Sequence, residues 1–299
     1  MADSKDTAPK RKRTYEENLE LAKARVSAKK EAKKTAQEPQ AQTQAMLPWW
    51  EEGARRAPNL LLRNALFGIS KNRESYGEMR LLASLEGHTV KSNEQLNQYD
   101  LDNLEMLLHM QREHAIGARV LFSGHSFLKA MGRSKGGGDH KQLHDDLTRL
   151  VRATVEIRWL NERKSYTESL VASFGRDEKT EMYSVRFSEE MLQLYEAGSA
   201  QFCWEQRKKL GKNNLAKWLQ VFYASHDAPF PMKAQTLREQ SGATSNIFEF
   251  RRMLRTALNK LQAVGFLSSW AINEDDLVTV KKTPRPATKK KQKAVAPAV

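Results

Sequence analysis

Two stretches of this sequence carry the same structural signals in the same order, and that order restricts the fold more than any other feature. In the second stretch, Phe202–Trp204 reads as a strand, and Leu215–Ser225 as a helix with Trp218, Leu219 and Phe222 inward. Pro229 and Pro231 then break the chain. Met232–Gln240 reads as a short helix and Ser241-Gly242 as a turn. In the long helix that follows, Ile247, Phe250, Leu254, Leu258, Leu261 and Val264 share one face, and Gly265 ends it. Phe266–Ile272 and Leu277–Val280 pair as a hairpin around Asn273-Glu274-Asp275-Asp276.

The first stretch is longer. Arg80–Leu85 reads as a strand, and Asp100 as the N-cap of a helix carrying Leu101, Leu104, Leu107 and Leu108. Ala118–Phe122 is a strand, Ser126–Met131 a short helix stopped by Gly132, and Arg133–Gly138 a glycine-rich loop. A long helix from about Asp139 turns Leu143, Leu147, Leu150 and Val151 inward. Thr154–Trp159 and Ser169–Phe174 flank a polar tip at Asn161–Lys164. Tyr183–Phe187 is a third strand and Met191–Tyr195 a short helix.

Helix, short helix, glycine-containing turn, long helix and hairpin is the winged helix-turn-helix order. Three helices pack on one small core, and the third keeps a solvent face that can enter a major groove. The sequence therefore predicts an α+β fold with two winged-helix domains, residues 58–198 and 199–282. A tail and linker, residues 1–57, precede them, and a basic tail, residues 283–299, follows. Both tails are expected to be disordered, since they lack the large apolar groups that offset ordering entropy.

The net charge of +14 points towards nucleic acid, but its location qualifies that. The first forty residues hold eleven Lys/Arg against seven Asp/Glu, and residues 281–299 hold seven against none. Residues 41–280 hold 32 against 29. The tails carry most of the excess, so the case for binding rests on where charges sit in the folded middle.

On the second long helix, Ser245, Glu249, Arg252 and Thr256 lie opposite the apolar face, flanked by Arg251 and Arg255. Ser245 and Asn246 stand at the helix start, where base-reading residues point; arginine there reads guanine and asparagine reads adenine. Lys233 and Arg238, on the preceding short helix, are placed to hold phosphates. On the first long helix the outward set is Lys141, Gln142, Asp145, Thr148, Arg149 and Arg152, with Arg133 and Lys135 in the loop before it. Either face is equally a solvated helix surface with pairs four residues apart.

Other chemistries find little support. Cys203 is the single cysteine, so no internal disulfide forms and a reducing cytoplasm fits. His140 and His144 are four apart, but no third ligand stands nearby and the zincin glutamate is missing, so no metal is expected. Gly136–Gly138 lacks the Lys-Ser/Thr of a phosphate-binding loop, and Ser123, His125 and Ser126 form no nucleophile elbow. No enzyme activity and no cofactor are expected. No apolar run is long enough for a membrane span, and no secretory signal opens the chain. Lys10-Arg11-Lys12-Arg13 reads as a nuclear signal, a phosphate clamp or a solvated tail. Trp49-Trp50 implies docking, on this chain's own core or on a partner.

The assembled residues resemble the TrfA family, the replication initiators of broad-host-range IncP plasmids. The likeness spans about residues 58–282. Arg63-Asn64-Ala65-Leu66-Phe67 is similar to the family's opening segment, and Asp100-Leu101-Asp102 before an apolar helix also matches. Trp204–Leu210, Tyr223-Ala224-Ser225-His226, Pro229–Lys233 and Asp275–Val278 follow in the family's order. The resemblance implies two winged-helix domains, repeated origin sites (iterons) as the double-stranded ligand, active monomers and an inactive self-dimer. It further implies cooperation with a host initiator protein, helicase loading, and contact with the polymerase sliding clamp through an N-terminal Gln-Leu-Ser-Leu-Phe motif. Here Gln44-Ala45-Met46-Leu47-Pro48 is the candidate, with Trp49 or Trp50 in place of the terminal aromatic.

The mechanism expected is that both long helices occupy successive major-groove faces of one direct repeat, the second dominating sequence choice. Several copies in tandem would strain the duplex and ease opening of adjacent A·T-rich DNA. Single-strand capture by the same surface is a further expectation. The alternatives are a dimeric winged-helix repressor on a palindromic operator, and a protein-docking module.

Overall fold

Buried apolar side chains gather into two clusters, and their boundary follows the repeat in the sequence. The computed structural model describes residues 45–284 apart from Glu86. The chain opens with β1 (Ala54–Pro58), α1 (Asn59–Leu62), β2 (Phe67–Gly68), β3 (Ser75–Leu85), β4 (His88–Glu94) and β5 (Leu96–Asn97). The first repeat follows as α2 (Gln98–Gln111), β6 (Val120–Ser123), α3 (Gly124–Ala130), α4 (Gly137–Arg152), β7 (Thr154–Trp159), β8 (Lys164–Ser169), β9 (Ser173–Arg176) and β10 (Met182–Arg186). After α5 (Met191–Glu196), β11 (Ser199–Cys203) and α6 (Trp204–Leu210) comes the second repeat. It comprises α7 (Asn214–Ala224), β12 (Met232–Lys233), α8 (Ala234–Gln240), α9 (Ile247–Ala263), β13 (Leu267–Ile272) and β14 (Leu277–Lys282).

Sheet order exposes the duplication. In the second repeat the order is β12-β14-β13, and in the first it is β6-β10-β9. In each, the strand before the short helix pairs antiparallel with the last strand of the hairpin. The turns match as well: Gly132 and Gly242 take φ of 69° and 67° after the short helix, a conformation that costs glycine little. A Cβ at Gly242 would also come within 3.2 Å of the Ala65 Cβ.

This order corrects the first hairpin expected from sequence. The hairpin equivalent to β13–β14 is β9–β10, not Thr154–Trp159 with Ser169–Phe174. The run from Ser169 to Phe174 straddles two sheets: β8 ends at Ser169, Leu170 and Val171 turn into the core, and β9 begins at Ser173. β7 and β8 join β3 and β4 in a separate four-stranded antiparallel sheet, order β3-β4-β7-β8. β8 is polar except for Tyr166, which faces Ile157 across the ladder, so hydrophobic alternation gave little signal there. The α2 N-cap is likewise Asn97 rather than Asp100. Its side chain accepts the Tyr99 and Asp100 amides, and Asp100 reaches back to the Asn97 amide in a capping box.

Within the first cluster β1 pairs with β11, tying residues 54–58 to 199–203. Backbone and side-chain hydrogen bonds and a buried ion-pair network join the two clusters. The Ile69 amide donates to the Ser241 carbonyl at 3.0 Å, and Asn214 Nδ2 donates to the Ile69 carbonyl at 3.1 Å. Asp102 on α2 takes Arg207 of α6 at 2.5 Å and also Lys217 of α7, all three buried. Arg207 further donates to Gln98 Oε1 at 2.8 Å and to the Lys217 carbonyl at 2.9 Å.

Burial surrounds α2 on nearly every side, which sets the titration of Glu105. Both its carboxyl oxygens are buried without a hydrogen-bond partner among the described residues. Burial pushes its pKa from 4.5 up to about 8, against the pull of Arg207 and Arg55. The folded chain keeps a proton there that the unfolded chain releases. Stability should therefore fall as pH rises from 4.5 towards about 8 and level off above it. Glu105→Gln should flatten that decline in urea unfolding followed across the interval. A decline of equal steepness in both proteins would assign it to another group.

Candidate nucleic-acid interface

Helix α9 is positioned by its apolar side. Phe250, Leu254, Ala257, Leu258 and Leu261 are buried in the second cluster. Asn246 caps the helix, its side-chain oxygen accepting the Glu249 amide at 2.9 Å. Opposite the core, Phe248, Glu249, Arg252, Arg255, Thr256 and Asn259 are exposed. Arg252 and Arg255 have no ion-pair partner among the described residues. The side with Arg252 and Arg255 is therefore open to solvent.

Three residues assigned to DNA contact by sequence, Arg251 and Ser245 at this helix and Arg238 on the short helix before it, have other tasks. Arg251 is half-buried, ion-paired with Asp276 at the β13–β14 tip, and its guanidinium lies 5.5 Å from the Phe248 ring centroid. It ties hairpin to helix. Arg238 donates from Nε to the Ser245 carbonyl at 2.5 Å and so holds the turn before α9. The Ser245 hydroxyl is buried without a hydrogen-bond partner among the described residues, so it is not presented to a groove. Lys233 is exposed, as the N-cap of α8.

Beside α9 runs a groove of about 470 Å³ with Ile69, Leu215 and Met253 on its walls. Among the described residues four cations line it, Lys71, Lys212, Arg252 and Lys260, and no acid does. Periodicity on α9 could not reveal this groove. Lys71 and Lys212 come from distant loops, brought together by the hydrogen bonds of Ile69 to Ser241 and Asn214.

The first long helix differs. Buried Asp146 on α4 accepts from Arg73 at 3.0 Å, Asn103 at 3.0 Å and Gln142 at 2.8 Å, with Arg133 at 3.5 Å. Buried Asp100 pairs with Arg73 at 3.1 Å and Arg149 at 3.8 Å. Burial pushes the Asp100 pKa up to about 6, while Arg73 pulls it down. Arg152 pairs with Glu94 at 3.1 Å. Arg133, Arg149 and Arg152 thus hold α4 to its surroundings, a correction to their reading as an open binding face, while exposed Gln142 bonds within α4 itself. Buried carboxylates need such partners, and sequence spacing did not show that Asp100, Asp146 and Glu94 would be buried. Lys135 and Lys141 remain exposed without an ion pair among the described residues. Lys141 borders a hollow shared with Asp145, Glu178 and Glu181, so its surroundings do not favour phosphate.

Of the clamp-motif residues, Gln44 lies outside the described residues. Leu47 is packed in the first cluster, only 4% exposed, so it is not available to a partner. Trp50 is buried and donates from Nε1 to His109 Nδ1 at 3.0 Å, so this indole docks on the chain's own core. Trp49 is 62% exposed. Among the described residues, no group of three His, Cys, Asp or Glu side chains could hold a metal ion, and no helix is long and apolar enough to cross a membrane.

The family model described as "TrfA protein" matches residues 10–282. The curated plasmid replication initiator protein TrfA of Escherichia coli is 27% identical over 248 residues, 78% of this chain and 63% of that protein. The match therefore spans less than two thirds of that relative's length. Among solved structures, a selenomethionine derivative of domains 2 and 3 of RctB superposes with a TM-score of 0.55 at 15% identity, covering 77% of this chain and 99% of that one. A second crystal structure of RctB domains 2–3 gives a TM-score of 0.50 at 15% identity, covering 74% and 94%. At that identity the likeness concerns fold alone.

Proposed function

Because the chain belongs to the TrfA family, we propose that it is a sequence-specific DNA-binding protein that initiates plasmid replication. Each repeat acts as a winged helix, in two domains, and the ligand is a set of direct repeats in the origin. One observation carries the reading: α9 presents Arg252 and Arg255 to solvent beside a groove whose charged lining residues are all cations. Such a helix enters a major groove, its N-terminal residues facing base edges. Arg252 and Asn246 then read bases. Lys71, Lys212 and Lys260 neutralise phosphates on the flanking strand. The first repeat contributes through Lys135 and sets orientation more than sequence choice.

Copies on adjacent repeats bend the duplex and ease strand opening nearby, with single-stranded DNA a second ligand. A host initiator, the helicase and the sliding clamp are the partners, a self-dimer is the inactive form, and the compartment is the cytoplasm. Of the clamp motif's described residues, Trp49 is the one exposed to a partner. The relative's name, plasmid replication initiator protein, supports initiation over repression. Footprinting the DNA that flanks the chain's own gene tests the choice. Direct repeats protected at helical-turn spacing are expected, whereas a single protected palindrome would mean a repressor.

The phosphate role has its own test. Lys71→Ala with Lys212→Ala should weaken binding evenly across sequences and reduce the slope of log K against log salt by about 2. An unchanged slope would remove the groove from the interface.

A further inference from the structure

Phe248 is the most exposed large apolar side chain among the described residues, at 75%. It is the second residue of α9, one turn before Arg252 on the same open side. A single exposed apolar residue is ordinary on a protein surface. This one is also held in place. Arg251 lies over its ring at 5.5 Å, and Arg251 is in turn ion-paired with Asp276 of the hairpin tip. Hairpin, guanidinium and ring form a chain of contacts that fixes an aromatic where a recognition helix meets base edges.

The geometry points to Phe248 as a specificity-determining residue that contacts the C5-methyl group of a thymine in the major groove. This rests on the duplex-binding reading above. A phenyl ring forms no ordinary hydrogen bond, so among base edges in that groove it distinguishes only an apolar group, and thymine alone carries one. Arg252, a turn further on, offers donors for an adjacent guanine, so apolar and polar readout would come from successive turns of one helix.

The test uses the full chain and the duplex it selects from a random pool. Each thymine is replaced in turn by deoxyuridine, which removes the methyl group and keeps base pairing. With the wild-type chain, one position should lose affinity by about fourfold, the effect of burying one methyl-sized group. Phe248→Ala should bind the thymine and deoxyuridine duplexes equally, Phe248→Leu should keep part of the difference, and Arg252→Ala should keep all of it. Thermal unfolding of the variants should match the wild type, since the ring lies outside the core. A wild-type chain that binds the duplex selectively, with every deoxyuridine effect preserved in Phe248→Ala, overturns the assignment to Phe248 alone. A wild-type chain that selects no sequence overturns the duplex-binding reading itself.

Discussion

Asp102→Ala should destabilise the folded chain by about 3–5 kcal/mol, the cost of breaking a buried ion pair and leaving charge uncompensated. Asp102 is the shared partner of Arg207 and Lys217, and all three are buried. Burial already lowers the Lys217 pKa, and Asp102 is the largest influence opposing that shift. Without the carboxylate, two cations face each other in a poorly solvated joint. Loss on this scale is a large share of the stability of an ordinary domain. Because α2 lies in one cluster while α6 and α7 lead into the other, the damage should also loosen the joint between repeats. The sign of a second variant separates charge from packing. Replacing Asp102, Arg207 and Lys217 together by apolar residues of similar volume should cost much less than Asp102→Ala alone. Urea unfolding measures both. If the triple variant is the worse of the two, shape rather than charge governs the joint.

Arg252→Ala should lower affinity for the selected duplex by about 1–3 kcal/mol, roughly fivefold to 150-fold, and relax preference at one base position. Arg252 sits on the open side of α9 with no ion pair among the described residues, so its removal costs the fold little. Arg251 makes the contrast. It is engaged with Asp276 and Phe248, and its loss should act through the hairpin. Competition binding against a scrambled duplex of equal length resolves the two effects. An even loss on both duplexes would move Arg252 from base readout to phosphate contact.

How much was readable in advance follows from range. The second repeat was legible because its signals are local: Leu254, Leu258 and Leu261 repeat at helical spacing, Gly242 marks the turn, and acidic residues mark the hairpin tip. The first repeat was less so. Its equivalent hairpin is separated from the long helix by β7–β8, which belongs to another sheet, and β8 is almost wholly polar. The pairing of β1 with β11 spans most of the described chain and leaves no local trace. Charges misled most. Arg133, Arg149 and Arg152 looked like a solvated or binding face because their buried partners Asp146, Asp100 and Glu94 look like any other acids in sequence. The stretch Trp204–Leu210, which carries much of the family likeness, turns out to hold Arg207 inside the joint with Asp102. Lys71 and Lys212 escaped because only the fold brings them to α9. Phe248 escaped because the face was read for polar and charged groups alone.

Methylation interference at guanine N7, which lies in the major groove, tests most directly whether α9 reads DNA. With the wild-type chain, methylation at a discrete guanine in each repeat should block binding, and Arg252→Ala should erase that block while others persist. Tight sequence-selective binding with no interfering N7 position would contradict major-groove entry by this helix.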